Sequence, residues 1–200
     1  MDITLLGYLL IAASYLIGSL SSAIILCKLA GLPDPRTEGS GNPGATNVMR
    51  IGGKKLAALT LVGDLLKGLI PVVAAWLLNQ SPLTVSLIAI AAFLGHLFPL
   101  FFGFKGGKGV ATALGAILGL NYLVALCALA VWIIIFVITK ISSLSALIAA
   151  VSAPIFLYFF NASSEIVWAV IFMDILLIYR HKGNIQRLLK GEEGKLKAKK

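Results

Sequence analysis

Three short segments of this sequence carry residue types suited to holding phosphate esters. The first runs Gly39-Ser40-Gly41-Asn42-Pro43-Gly44-Ala45-Thr46-Asn47, with Arg50 just beyond. Its glycines, Gly41 and Gly44 among them, permit positive φ and close approach of backbone to a ligand. Successive N–H groups in such a turn form a nest for an anion. Ser40, Asn42, Thr46 and Asn47 add side-chain donors, and Arg50 offers a guanidinium fork that matches phosphate. Any one of these residues also fits a plainer use, an irregular turn capping the helix that follows. The cluster as a whole fits that use less well.

The second segment runs from His96 through Phe104-Lys105-Gly106-Gly107-Lys108-Gly109. It has a superficial likeness to a nucleotide-binding P-loop. However, Gly109 follows Lys108 where that pattern requires Ser or Thr, and no strand precedes it, so nucleotide hydrolysis is excluded. Exposed glycine N–H groups and two cations beside a helix start still favour an anion. Lys105 and Lys108 also suit solvated cations at a membrane surface. His96, in an apolar run, suits either a general base acting on a hydroxyl or a structural hydrogen bond. The third segment holds Asn184 and Arg187 on a short amphipathic stretch, 182–190, with Ser142, Ser143 and Ser145 heading another apolar run. Asp64 and Lys67 lie three apart, within side-chain reach, and Asp174 has no local partner. The sequence has only two histidines, His96 and His181. Cys27 and Cys127 sit alone in apolar surroundings, and no Cys/His/Asp/Glu cluster is evident. Neither a metal nor a cofactor is therefore expected.

These segments need a scaffold, and composition points to a membrane. Of 200 residues, 59% are hydrophobic and 12% charged, and the mean hydropathy is +0.98. A soluble helical domain needs more polar faces than this chain supplies. The start, Met1-Asp2, lacks a basic region and a cleavage signature, and reads as a retained first helix. Apolar runs cover about 3–27, 56–78, 83–102, 110–138, 143–160 and 165–179. Counted as one crossing, 110–138 scatters basic loops to both sides. Counted as two, it leaves every basic loop on one side, including the tail with its eight Lys/Arg against two Glu. The positive-inside rule then predicts an all-α, polytopic integral membrane protein with seven transmembrane helices, N-terminus outside and C-terminus cytoplasmic. The 29 or so residues of 110–138 are short for two crossings. Ala111, Gly115 and Gly119 predict close helix packing. The chain is expected to be one domain, with 190–200 a flexible basic tail.

At these motifs the sequence resembles the bacterial acyl-phosphate:glycerol-3-phosphate acyltransferases, the PlsY family. The likeness covers nearly the whole chain. It lies in Gly39 to Asn47 with Arg50, in Gly95-His96-Leu97-Phe98-Pro99 running into 104–112, and in His181-Lys182-Gly183-Asn184-Ile185-Gln186-Arg187-Leu188 followed by Gly191-Glu192. Gly18-Ser19, Pro33-Asp34-Pro35-Arg36 and Gly63 to Gly68 also match. The resemblance implies transfer of an acyl group from acyl phosphate to the 1-hydroxyl of sn-glycerol 3-phosphate. The products are 1-acyl-sn-glycerol 3-phosphate (lysophosphatidic acid) and phosphate, in the first acylation step of phospholipid synthesis. On this reading His96, Ser40, Asn42 and Lys108 are the candidate catalytic residues. Gly41, Gly44, Thr46, Asn47, Arg50, Lys105, Gly106, Gly107, Ser142, Asn184 and Arg187 are the candidate phosphate-binding residues.

The implied setting is the bacterial cytoplasmic membrane, with the site facing the cytoplasm. The implied partners are the two substrates, membrane lipid and an upstream enzyme that makes acyl phosphate. A transporter for an organic anion or phosphate ester is the rival reading, and it would place charged residues along a path through the membrane midplane. The +9 charge arises from loops and tail with no recognition module, so no nucleic acid is expected.

Overall fold

The computed structural model describes residues 3–195. Met1, Asp2 and the last five residues of the expected flexible tail lie outside the described residues. Among the described residues the chain is all-α, with nine helices and one 3-10 turn at Leu100–Phe102. The helices are α1 (Leu5–Gly18), α2 (Ser22–Leu29), α3 (Ala45–Leu77), α4 (Pro82–Leu97), α5 (Val110–Leu120), α6 (Tyr122–Thr139), α7 (Ser142–Phe159), α8 (Ser164–Arg180) and α9 (Lys182–Leu189).

The expectation of seven crossings is not met. Among the described residues, four helices are long and apolar enough to cross a membrane: α3, α4 with its 3-10 extension to Phe102, α6 and α7. There are five if α1 and α2, bent by 42° at a short break, form one span. The first apolar run is broken by its serines. Ser19 Oγ turns back to donate to Tyr15 O, and Ser21 caps α2 by accepting from the Ile24 N–H. Asn121 divides 110–138, because its side chain accepts from the Val124 N–H and starts α6. That leaves α5 with 11 residues, a rise of roughly 16 Å against a hydrocarbon core of about 30 Å. The last run, α8, has 17 residues and includes Glu165, Asp174 and Arg180. The parity argument for the placement of the termini rested on seven crossings and goes with them.

The bundle is built around α4, which packs on α1, α3, α5 and α8. Val85, Ile88, Ala89, Ala92 and Phe93 of α4 are fully buried. Glycine allows the tightest crossings. A methyl group at Gly95 would collide with Tyr15 O on α1, and one at Gly115 with Leu65 O on α3. The close packing expected from the small-residue spacing in α5 is therefore made against α3. Outward-facing Leu5, Ile138, Tyr158 and Trp168 are 77%, 73%, 78% and 68% exposed, a surface suited to lipid. In α3 the helix breaks at Gly53, where φ is 79°. Asp64 lies roughly 15 Å along the axis beyond that break. It meets His96 near the end of α4.

Candidate active site

The first glycine-rich segment is a loop stitched together by Asn47. This side chain is 1% exposed. Its Oδ1 accepts from the Ser40 N–H at 2.9 Å, and its Nδ2 donates to Pro35 O at 2.8 Å and Glu38 O at 2.9 Å. Every polar atom of the amide is thus engaged inside the loop, and Asn47 is not directed at a ligand. Gly39 takes φ +60° beside it, where a side chain would collide with Asn47 Oδ1. Ser40 and Arg50 are exposed at the mouth, and Asn42 is half-buried. Thr46 Oγ1 lies 3.3 Å from Ser142 Oγ, which joins this loop to the start of α7.

Arg36 ties the first loop to the second. Its Nε and Nη2 donate to the Asp34 carboxylate at 2.7–3.1 Å, and its Nη1 donates to Phe102 O at 2.8 Å. The guanidinium bonds hold the Asp34 carboxyl below its ordinary pKa, against a smaller opposing effect of burial.

The second loop returns along the end of α4. Gly106 N–H donates to Leu97 O and Gly107 N–H to His96 O, both at 3.2 Å. These two N–H groups are therefore engaged within the chain rather than free to form an anion nest. Their carbonyls are engaged as well: Arg180 at the end of α8 donates Nη2 to Gly106 O at 2.8 Å and Nε to Gly107 O at 3.2 Å. Glycine is required in this strap. A methyl at Gly106 would run into His96 O, and one at Gly107 into His96 Nε2, with Pro43 O of the first loop 3.2 Å away. Lys105 is exposed, while Lys108 is half-buried.

Lys108 Nζ donates to Asn184 Oδ1 at 2.6 Å. Asn184, 6% exposed, passes the contact on through Nδ2 to Glu193 Oε1 at 2.5 Å. Ser143 Oγ donates to the same oxygen at 2.6 Å, and Arg187 Nε donates to Glu193 Oε2 at 2.6 Å. Burial brings the Lys108 ammonium down to about 8. Glu193 opposes the shift, whereas Arg187, Arg180 and Arg50 add to it. Hydrogen bonds from Ser143, Asn184 and Arg187 hold the Glu193 carboxyl below its usual pKa, overcoming burial. His181, 3% exposed, contacts Leu177 O through Nδ1 at 2.8 Å. Burial lowers its pKa to about 4, so it is neutral at physiological pH. Lys108, Asn184 and Arg187 thus come together with Ser143 around Glu193, whereas Ser142, the serine selected from sequence, bonds Thr46 instead. Glu193 and Arg180 were not among the residues selected from sequence, because isolated charges after an apolar run look like solvated ones, and His181 entered only as the first residue of the third motif.

Behind the strap lies a buried polar group. Lys67 Nζ is 2.9 Å from Asp64 Oδ1 and donates to Leu20 O at 2.8 Å, and His96 Nδ1 is 3.7 Å from the same carboxylate oxygen. The Asp64–Lys67 pair is internal, as charges at this depth require. His96 is packed between Asp64 and Gly107. Lys67 also floors an apolar groove of about 420 Å³ between α2 and α3, lined by Leu20, Ile25, Leu59 and Val62.

A family model described as glycerol-3-phosphate acyltransferase matches residues 8–191. The chain belongs to that family. It is 58% identical over 192 residues to the glycerol-3-phosphate acyltransferase of Methylococcus capsulatus, covering 96% of this chain and 97% of that one. Crystal structures of PlsY (YgiH), an integral membrane glycerol 3-phosphate acyltransferase, are similar throughout at 40% identity. The glycerol 3-phosphate form superposes with a TM-score of 0.92 over 96% of both chains. The lysophosphatidic acid form gives 0.89 over 94% of both. This acyltransferase is a multi-pass protein of the bacterial inner membrane.

Proposed function

We infer that the protein transfers a fatty acyl group from acyl phosphate to the 1-hydroxyl of sn-glycerol 3-phosphate, releasing lysophosphatidic acid and phosphate. The observation that carries the site assignment is the half-buried ammonium of Lys108, held on Asn184 in a recess bordered by Arg50, Arg180 and Arg187. A concentrated, partly desolvated positive charge is what a phosphate ester and a developing oxyanion both need. Ser40, Asn42, Gly41, Gly44 and Arg50 form the outer rim on the first loop, and the exposed Lys105 adds a cation on the second. Gly106 and Gly107 form the strap, and Thr46 and Ser142 close the side toward α7.

In the reaction the glycerol oxygen forms a bond to the acyl carbonyl carbon as the bond from that carbon to the phosphate oxygen breaks. Phosphate leaves with the bonding pair, so no protein nucleophile is needed. The hydroxyl proton goes to a phosphate oxygen, an acceptor that the reacting esters themselves supply beside the attacking oxygen. On this reading His96 supports the strap. Its replacement by alanine lowers kcat by less than the 10²–10⁴ characteristic of a general base. A loss in that range, in folded protein, would return the proton to His96.

Lysine and arginine gather at the helix ends that carry the three loops. Asn79-Gln80-Ser81 and Asn161-Ala162-Ser163-Ser164, at the opposite ends, contain none. This bias supports a site facing the cytoplasm. The groove beside Lys67 is apolar, opens toward the lipid and suits an acyl chain. The decisive test mixes purified protein with palmitoyl phosphate and glycerol 3-phosphate and measures lysophosphatidate, with palmitoyl-CoA in parallel. Product from the acyl phosphate alone is expected. No product from either donor, in folded protein, would overturn the assignment.

A further inference from the structure

We propose that Arg180 is a positioning residue for the acyl transfer, its guanidinium fork holding the Gly106–Gly107 strap so that Lys108 keeps its place in the site. The inference rests on the acyl-transfer reading above. Each of the two glycines is held through both its N–H and its carbonyl. The N–H groups donate to the last carbonyls of α4, and the carbonyls accept from Arg180. The next residue is Lys108, whose ammonium meets Asn184 on α9. One short piece of chain, Arg180 to Asn184, thus brackets the lysine, holding the backbone before it and the tip of its side chain.

The geometry is specific to arginine. Two donors in one plane reach two successive carbonyls, and the guanidinium lies 5.9 Å from the centroid of the Phe98 ring. A lysine here would keep the charge and the stem, but a single ammonium lacks the planar fork that grips both oxygens together. With the fork gone, the strap keeps only its bonds to α4. Glycine residues, which lose the most freedom on ordering, then have least to hold them.

The test uses full-length protein in detergent or bilayer discs, comparing the parent with Arg180→Gln and Arg180→Lys. Arg180→Gln is expected to lower kcat at pH 7 at least tenfold, with the glycerol 3-phosphate KM raised. Arg180→Lys is expected to recover thermal stability but less than a third of the rate. A second readout follows Lys108 itself, through the pH dependence of its labelling by an amine-reactive reagent, measured by mass spectrometry. The charged groups acting on Lys108 are Glu193, Arg187, Arg180 and Arg50, and His181 stands nearby, neutral. Losing Arg180 removes a cation and loosens the burial, so the labelling midpoint should move to higher pH. Kinetic parameters within twofold of the parent in folded Arg180→Gln would overturn the proposal, as would full rescue by lysine or an unmoved Lys108 midpoint. A parent protein with no turnover would instead overturn the acyl-transfer reading, and the Lys108 midpoint in Arg180→Lys, which keeps the charge and loses the fork, would still decide the role of Arg180.

Discussion

Replacing Glu193 by glutamine should move the alkaline limit of activity to lower pH. Among the described residues Glu193 is the anion acting on Lys108, and a single amide, that of Asn184, separates the two groups. Opposite charges ~6 Å apart attract by roughly 3 kcal/mol at an effective dielectric of about 20. The site mouth is open to water, which screens part of this, and about half is a reasonable working figure. That corresponds to about one pKa unit. Lys108 serves as a cation and its pKa lies at about 8, so the charge is present below that value and lost as pH rises through it. At pH 7 a lysine with a pKa of 8 is ~90% protonated, and one unit lower it is ~50% protonated. The variant should therefore lose activity between pH 7 and 8, where the parent retains much of its own, and regain most of it near pH 6. The assay is the pH dependence of kcat/KM for glycerol 3-phosphate, with thermal unfolding checked at each pH. A limb that stays in place or moves to higher pH would refute the electrostatic argument.

Two further expectations concern other parts of the site. Asn47→Ala removes three hydrogen bonds inside the first loop and leaves a buried N–H and carbonyls without partners. It should cost about 2–4 kcal/mol and most of the activity, read by thermal unfolding and turnover. Val62→Trp fills the groove between α2 and α3 and should raise KM for palmitoyl phosphate several-fold while leaving that for glycerol 3-phosphate unchanged. Equal values for both substrates would remove the groove from the acyl path.

Much of the site was legible because its chemistry is written in local motifs. Gly106-Gly107-Lys108 and Asn184-Arg187 announce themselves by composition, and the structure brings Lys108 and Asn184 into contact. The use of each residue was less legible. Asn47 looked like a ligand donor and is a staple, because its amide finds three backbone groups within twelve residues. The glycine N–H groups looked free and are bonded to the end of α4, a contact no local pattern encodes. Glu193 lay in a segment whose charges read as solvated, yet a hydroxyl, an amide and a guanidinium converge on it. The span count failed for a related reason. The break within 110–138 was expected and falls at Asn121, but it leaves α5 with 11 residues, too short to cross, and α8 is not among the helices long and apolar enough to span. Hydropathy registers Ser19–Ser21, whose side chains bond the backbone, as only a weak dip.

The dependence of Lys108 on Glu193 also has a consequence in time. During synthesis the first two loops are made early, while the groups that steady the lysine, from Ser143 to Glu193, follow one by one. Until residue 193 has folded back, the lysine lacks the carboxylate that favours its charge. A half-made chain already in the membrane would then hold both glycine loops and still be a poor catalyst. Synthesis itself would set the moment at which the acyl donor first meets a competent site.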